Sequence, residues 1–194
     1  TPTGDKPSGG DGDEKPSGEG RSGEDWANSL SDKERATVLG WQDSGQYDRI
    51  RKAQRDGVKT EESEMWTSAL DKDGAYEGTT YRGIHGLKAK DVKEIKSSEF
   101  ITLDADSSSS KSPLVATKFA GDVMGTGTSR GKENVLFRIK GKTGVDIDAI
   151  PSLSFKGERE VILRKGTKYK ILKTSYGTLG NTNVWATTVH LQEQ

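Results

Sequence analysis

Apolar residues fall into two regimes along the chain. From Trp26 to about residue 72 they recur at helical spacing: Ala36, Val38, Leu39 and Trp41 define a first helix, Tyr47 and Ile50 a second, and Met65, Trp66, Ala69 and Leu70 form the i, i+1, i+4, i+5 stripe of a third. Ser31-Asp32-Lys33-Glu34, at the opening of the first helix, has the form of a capping box, in which serine hydroxyl and glutamate carboxylate each satisfy a backbone N–H of the other residue. After Asp73-Gly74 the pattern changes. The β-branched and aromatic run 79–84 predicts a strand, and Ala89, Val92 and Ile95 at spacing three predict a helix within 87–97. Strands are predicted over 100–103, 135–139, 145–147, 160–163, 169–172 and 184–191, separated by Gly, Ser or Lys-Gly turns, with a short helix over 115–119. Helices followed by many strands make an α+β layout, a helical cap on a compact sheet core.

The first 25 residues stand outside this pattern. They contain no apolar or aromatic residue at all, being seven Gly, three Pro, three Ser, two Thr and ten charged residues, a composition that cannot bury enough surface to offset backbone entropy. Residues 1–25 are therefore expected to be a disordered acidic linker and 26–194 one folded domain, a fragment of something longer joined through that linker. The hydrophobic share of 29 % is low for this reason. Lys plus Arg equals Asp plus Glu at 30 each, a balance that favours neither nucleic acid nor an acidic membrane as partner, and no apolar run is long enough to span a bilayer. Cysteine is absent and histidine occurs twice, which removes disulfides, thiolate zinc sites and cysteine nucleophiles together.

Two familiar motifs fail in context. Gly127-Thr128-Ser129-Arg130-Gly131 matches a nucleophile elbow, with Asp146 or Asp148 and then His190 following in hydrolase order, but the serine of such an elbow stands on a strand-to-helix turn, and here a glycine-rich loop leads into a strand. Gly141-Lys142-Thr143 is the tail of a phosphate-binding loop whose leading glycine is missing, since Leu136 stands in its place. His85, without a partner at i+4, reads as a loop or strand-end histidine.

Three short segments carry more. In a strand, residues two apart share a face, so Glu158 and Glu160 are expected to present two carboxylates to one cavity while Arg159 points away; an exposed strand end could carry the same pattern. Tyr81-Arg82-Gly83 places a guanidinium fork able to hold a diphosphate beside a glycine that permits close approach. Ser107 to Ser110, a hydroxyl cluster of a kind more often found in loops, precedes Leu114-Val115-Ala116-Thr117-Lys118-Phe119-Ala120-Gly121.

In that order, Tyr-Arg-Gly, Ser-x-Ser with Val-Ala-x-x-Phe-Ala-Gly, and Glu-x-Glu before Val-Ile-Leu, the sequence resembles a mono-ADP-ribosyltransferase of the arginine-serine-glutamate class, which includes catalytic components of clostridial binary toxins and domains of bacteriophage head proteins. The resemblance spans residues 30–191, and Gly45 to Arg51, with Tyr47 and Ile50, is similar to the family's helical lead-in. It implies an α+β fold with N-terminal helices on a two-sheet β core, and cleavage of NAD, the co-substrate, at the nicotinamide–ribose bond without a metal. Glu160 would stabilise the ribose cation. Arg82 would clamp the diphosphate, the Gly83 backbone would hold the nicotinamide amide, and Ser108 would orient Glu160 through a hydroxyl-to-carboxylate hydrogen bond. Tyr47, Ser110 and Phe119 would complete the NAD site. The family's spacing from Ala116 selects Ser108-Ser109-Ser110, although the unbroken serine run leaves that register open to a slip of one. Glutamate two before the catalytic one accompanies arginine as acceptor, so Glu158, with Phe155 in the loop before it, would recognise a target protein with an accessible arginine. NAD hydrolysis would be a side reaction, and the protein would act as a monomer inside a host or target cell. The alternatives are an inactive transferase fold that only binds and a transferase acting on a non-protein acceptor.

Overall fold

The computed structural model describes residues 23–72, 75–121, 131–153 and 155–194. Four helices come first among the described residues: α1 (Gly23–Ser29), α2 (Asp32–Gly40), α3 (Ser44–Asp56) and α4 (Glu61–Leu70). Residues 23–25, expected as the end of the linker, are instead the first turn of α1, whose Trp26 and Ala27 are buried. The reason lies in Trp26, which anchors the helix by donating its indole N–H to Ala69 O at 2.9 Å. The capping box forms as the sequence predicts, at the start of α2, with Ser31 N donating to the Glu34 carboxylate at 2.7 Å and Glu34 N to the Ser31 hydroxyl at 3.3 Å. Asp43 caps α3, which stops at Gly57 in the left-handed region (φ 67°).

Beyond them lie strands β1 (Ala75–Lys88), β2 (Phe100–Thr102), β3 (Ser107–Ser110), β4 (Lys132–Asp146), β5 (Glu160–Leu163), β6 (Lys168–Thr178) and β7 (Trp185–Glu193), with α5 (Ala89–Ser97) after β1 and α6 (Pro113–Ala120) after β3. The fold class is the expected α+β. The expected two sheets, however, are one hydrogen-bonded sheet in the order β1-β3-β5-β4-β7-β6-β2. It turns back on itself because the long strand β4 pairs with β5 near its end and with β1 and β7 along its body, so β1 meets β4 as well as β3. The Lys-Gly segment between the predicted strands 135–139 and 145–147 stays in β4 rather than turning, and Ile147 opens a 3-10 turn. Gly144 makes that continuity possible, since a Cβ there would stand 2.7 Å from Val161 Cγ1.

Among the described residues the core lies in three places. Trp26, Trp41, Trp66, Ile50 and Ile162 join the helical cap to the sheet; Val92 of α5 covers Val135, Phe137 and Val189; Ala116 and Ala120 of α6 pack on Leu136 and Ala186. Trp41 and Trp66 stack at 4.0 Å between ring centroids.

Candidate active site

The serine run is a strand, and that organises everything around it. A polar strand can be buried only if its hydroxyls find partners, and here they do: Ser107 Oγ donates to Ala105 O at 3.1 Å, Ser109 Oγ to Val161 O at 2.8 Å and Ser110 Oγ to Glu158 O at 2.5 Å. β3 lies between β1 and β5, with Tyr81 opposite Ser110 and Ser110 opposite Glu160. Three motifs separated by up to eighty residues in sequence thus become neighbours on three adjacent strands.

They enclose a cavity of about 330 Å³, at the small end of the range for ligand sites. Every site residue singled out in the sequence lines it: Tyr47 from α3, Arg82 and Gly83 from β1, Ser108 and Ser110 from β3, Phe119 from α6, and Phe155, Glu158 and Glu160 at the entry to β5. Phe119 and Phe155 are about half exposed at the mouth. Arg82 spends one guanidinium N–H on the Ser108 carbonyl, which fixes the fork against the wall. Arg51, on α3, donates to the Tyr47 hydroxyl at 2.7 Å; burial lowers its pKa, and the neighbouring Arg82 charge acts in the same direction. The two guanidiniums therefore concentrate positive charge at that end of the site.

The two glutamates share the cavity by a different geometry from the strand pair expected. Glu158 ends a 3-10 turn (Lys156–Glu158), and Arg159 takes a left-handed conformation (φ 50°) before the strand begins at Glu160. Such a backbone is costly for a residue with a Cβ. It is held by Lys111 N donating to Arg159 O at 2.9 Å together with the Ser110 bond to Glu158 O. Burial raises the pKa of Glu158, and the charge of Glu160 raises it further.

Glu160 is 5 % exposed. In place of the direct bond expected from Ser108, the Trp41 indole N–H is shared, at 3.0 Å, between Ser108 Oγ and Glu160 Oε1. Gln42 Nε2 donates to the other oxygen, Oε2, at 3.2 Å. Sequence reasoning missed both residues as site residues: Trp41 read as one more apolar position of a helix, and Gln42 gave no signal. Gly83 is also explained differently. A Cβ there would fall 1.9 Å from Ala116 O and 2.4 Å from Ala120 N, so the close approach this glycine permits is that of the α6 backbone.

The discarded motifs are employed elsewhere. Lys142 N and Thr143 N with its hydroxyl bind the buried carboxylate of Glu193. Residues 127–130 of the elbow motif lie outside the described residues. Asp146 is paired with Lys111 at 2.9 Å, and His190, facing Arg138 and Lys173 across its neighbouring strands, has a pKa lowered by burial and by those two cations. His85 is an exposed residue within β1.

No protein-family model matches the chain, and no curated protein matches it. Solved structures do. The chain is similar to the Vis toxin, an ADP-ribosyltransferase from Vibrio splendidus, with 21 % identity, a TM-score of 0.63, and 89 % of this chain and 81 % of that one covered. It is similar to Plx2a, an ADP-ribosyltransferase toxin from Paenibacillus larvae, with 18 % identity and a TM-score of 0.62 over 88 % of this chain and 90 % of that one. Exoenzyme S from Pseudomonas aeruginosa, in a complex with a human 14-3-3 protein and Carba-NAD, matches with 20 % identity and a TM-score of 0.61 over 88 % and 78 % of the respective chains. The protein has the ADP-ribosyltransferase fold.

Proposed function

We propose that the protein is a mono-ADP-ribosyltransferase that cleaves NAD at the nicotinamide–ribose bond and passes ADP-ribose to an arginine side chain of a target protein, with NAD hydrolysis as a side reaction. The observation that carries this reading is Glu160, a carboxylate buried at the cavity wall with donors on both oxygens, within the same cavity as Arg82 and Glu158. Scission of the glycosidic bond leaves the electron pair on nicotinamide and positive charge on the ribose ring. A fixed carboxylate beside that ring stabilises the transition state more than the ground state.

Arg82 takes the diphosphate of NAD, its fork suited to paired phosphate oxygens, and the Arg51 charge reinforces it. The backbone at Gly83 holds the nicotinamide amide, Tyr47, Ser110 and Phe119 line the dinucleotide, and Ser108 bears on Glu160 through Trp41. Glu158 receives the acceptor. A guanidinium is a poor nucleophile until a carboxylate binds it and accepts its proton as the new C–N bond forms, and the raised pKa of Glu158 suits a base for that step. Vis has been crystallised with agmatine, itself a guanidine, which supports a guanidine acceptor here. Phe155 lies at the mouth, where a target protein would arrive.

The test is nicotinamide release from NAD by the wild type and by Glu160→Gln. The amide cannot supply the negative charge, so turnover should fall by about 10²–10³, as for removal of one strong electrostatic contact, while NAD binding persists. A folded variant with near wild-type turnover would refute the assignment.

A further inference from the structure

Gln42 touches both halves of the site at once. It follows Trp41, the C-cap of α2, so the end of one helix holds both oxygens of Glu160: Trp41 Nε1 on Oε1 and Gln42 Nε2 on Oε2. The same Gln42 side chain accepts, through Oε1, the backbone N–H of Phe155 at 3.0 Å. Phe155 opens the turn that ends at Glu158, and Glu158 N in turn donates to Phe155 O at 2.9 Å. One planar amide therefore bridges the carboxylate that serves the ribose and the loop that carries the acceptor carboxylate. It is the single side chain that bonds to both, among the described residues.

We propose that Gln42 is a positioning residue that sets the acceptor loop against Glu160, so that its loss depresses transfer to the acceptor more than it depresses NAD hydrolysis. The catalytic part of this inference rests on the transferase reading above; the structural part does not. The amide needs both ends. As donor it holds Glu160 aimed; as acceptor it keeps the Phe155 turn at a fixed distance from the carboxylate, and a reacting guanidine must reach the ribose carbon from that turn, where misplacement by about 1 Å is costly. Water, as the alternative acceptor, needs no such loop.

Two variants separate the ends. Gln42→Met keeps the length and loses both hydrogen bonds. Nicotinamide release is expected to fall about tenfold, the size of one hydrogen bond to a charged group, with KM for NAD little changed, and the ratio of guanidine transfer to hydrolysis should fall several-fold further. Gln42→Glu keeps an oxygen for the Phe155 N–H but puts a carboxylate against Glu160. It should restore the transfer-to-hydrolysis ratio while leaving hydrolysis slow, with its acid limb moved to higher pH by the like charge. Amide hydrogen exchange at Phe155 gives a readout that needs no activity: exchange should speed up in Gln42→Met and return toward wild type in Gln42→Glu. An active enzyme whose product ratio and Phe155 exchange ignore Gln42→Met would overturn the inference. An inactive wild type that still shows Gln42-dependent protection of Phe155 would sink the transferase reading and leave the strut standing; inactivity without such protection would remove both.

Discussion

Glu158 carries a testable electrostatic effect in the site. Burial first, and then the charge of Glu160, favour its protonated form, so the step that needs it ionised should lose rate at a pH above the usual carboxylate range of about 4. Guanidine transfer is therefore expected to show an acid limb above that value, while hydrolysis, which uses water, does not share it. A carboxyl-carbon NMR titration supplies the direct check: in Glu160→Gln the Glu158 pKa should move down, and an unchanged value would mean that the two carboxylates do not sense each other. At this scale the sequence picked out residues that line one cavity and was silent about what supports them. Glu160, Arg82 and Ser108 announce themselves by residue type and by their neighbours. Trp41 and Gln42 do not, because they act on a partner 119 and 118 residues away, a relation that only tertiary packing creates.

Among the elements, α6 shows how a helix is seated by one missing side chain. Gly83 lets β1 pass within contact of the backbone of Ala116 and Ala120, and α6 in turn brings Val115 and Phe119 to the cavity. Gly83→Ala should force α6 away, costing about 1–3 kcal/mol of stability as an overpacked site, and should weaken NAD binding in the protein that remains folded. Urea denaturation and calorimetric titration measure the two; wild-type values for both would show that the contact relaxes freely. Helix α1 permits a parallel test. Trp26 is fully buried and its indole is bonded to α4, so Trp26→Ala should destabilise the protein by about 3–5 kcal/mol, far more than expected for the edge of a linker. The helices were legible because α2, α3 and α4 each carry a periodic apolar face or a cap. β3 was not, because four serines have no strand propensity that a local pattern could reveal; the flanking strands β1 and β5 supply the ladder partners, and backbone and side-chain groups brought in by tertiary structure satisfy the hydroxyls.

For the molecule as a whole, acid stability should be governed in part by Glu34, which is buried and joins α2 to α4. Burial, the largest single influence, raises its pKa, but Lys72, the Ser31 backbone and hydroxyl, and Ser68 together bring it down from its ordinary 4.5 to about 2. A carboxylate whose folded pKa is depressed contributes stability that is full above its unfolded value and is lost as pH falls through the folded one. Glu34→Gln should therefore be less stable than wild type by about 1.5–3 kcal/mol at pH 7, and the gap should close as pH falls from 4.5 toward 2. A gap independent of pH in urea melts would place the effect in packing rather than in charge. The α+β architecture was readable from the order of helices and strands, whereas the closure of one sheet through β1 and β4 was not, since it depends on a strand running through the Gly141 to Gly144 segment where local pattern predicts a turn. What that architecture achieves is to set two glutamates in one cavity. The most direct test follows both products in one preparation: nicotinamide released from NAD, and ADP-ribose attached to agmatine, with wild type and Glu158→Gln. Transfer is expected to fall tenfold or more, of the order lost with one general base, while hydrolysis stays within a few-fold of wild type. If both activities fall together to background with NAD affinity intact, or if neither falls, the division of labour between Glu158 and Glu160 is contradicted.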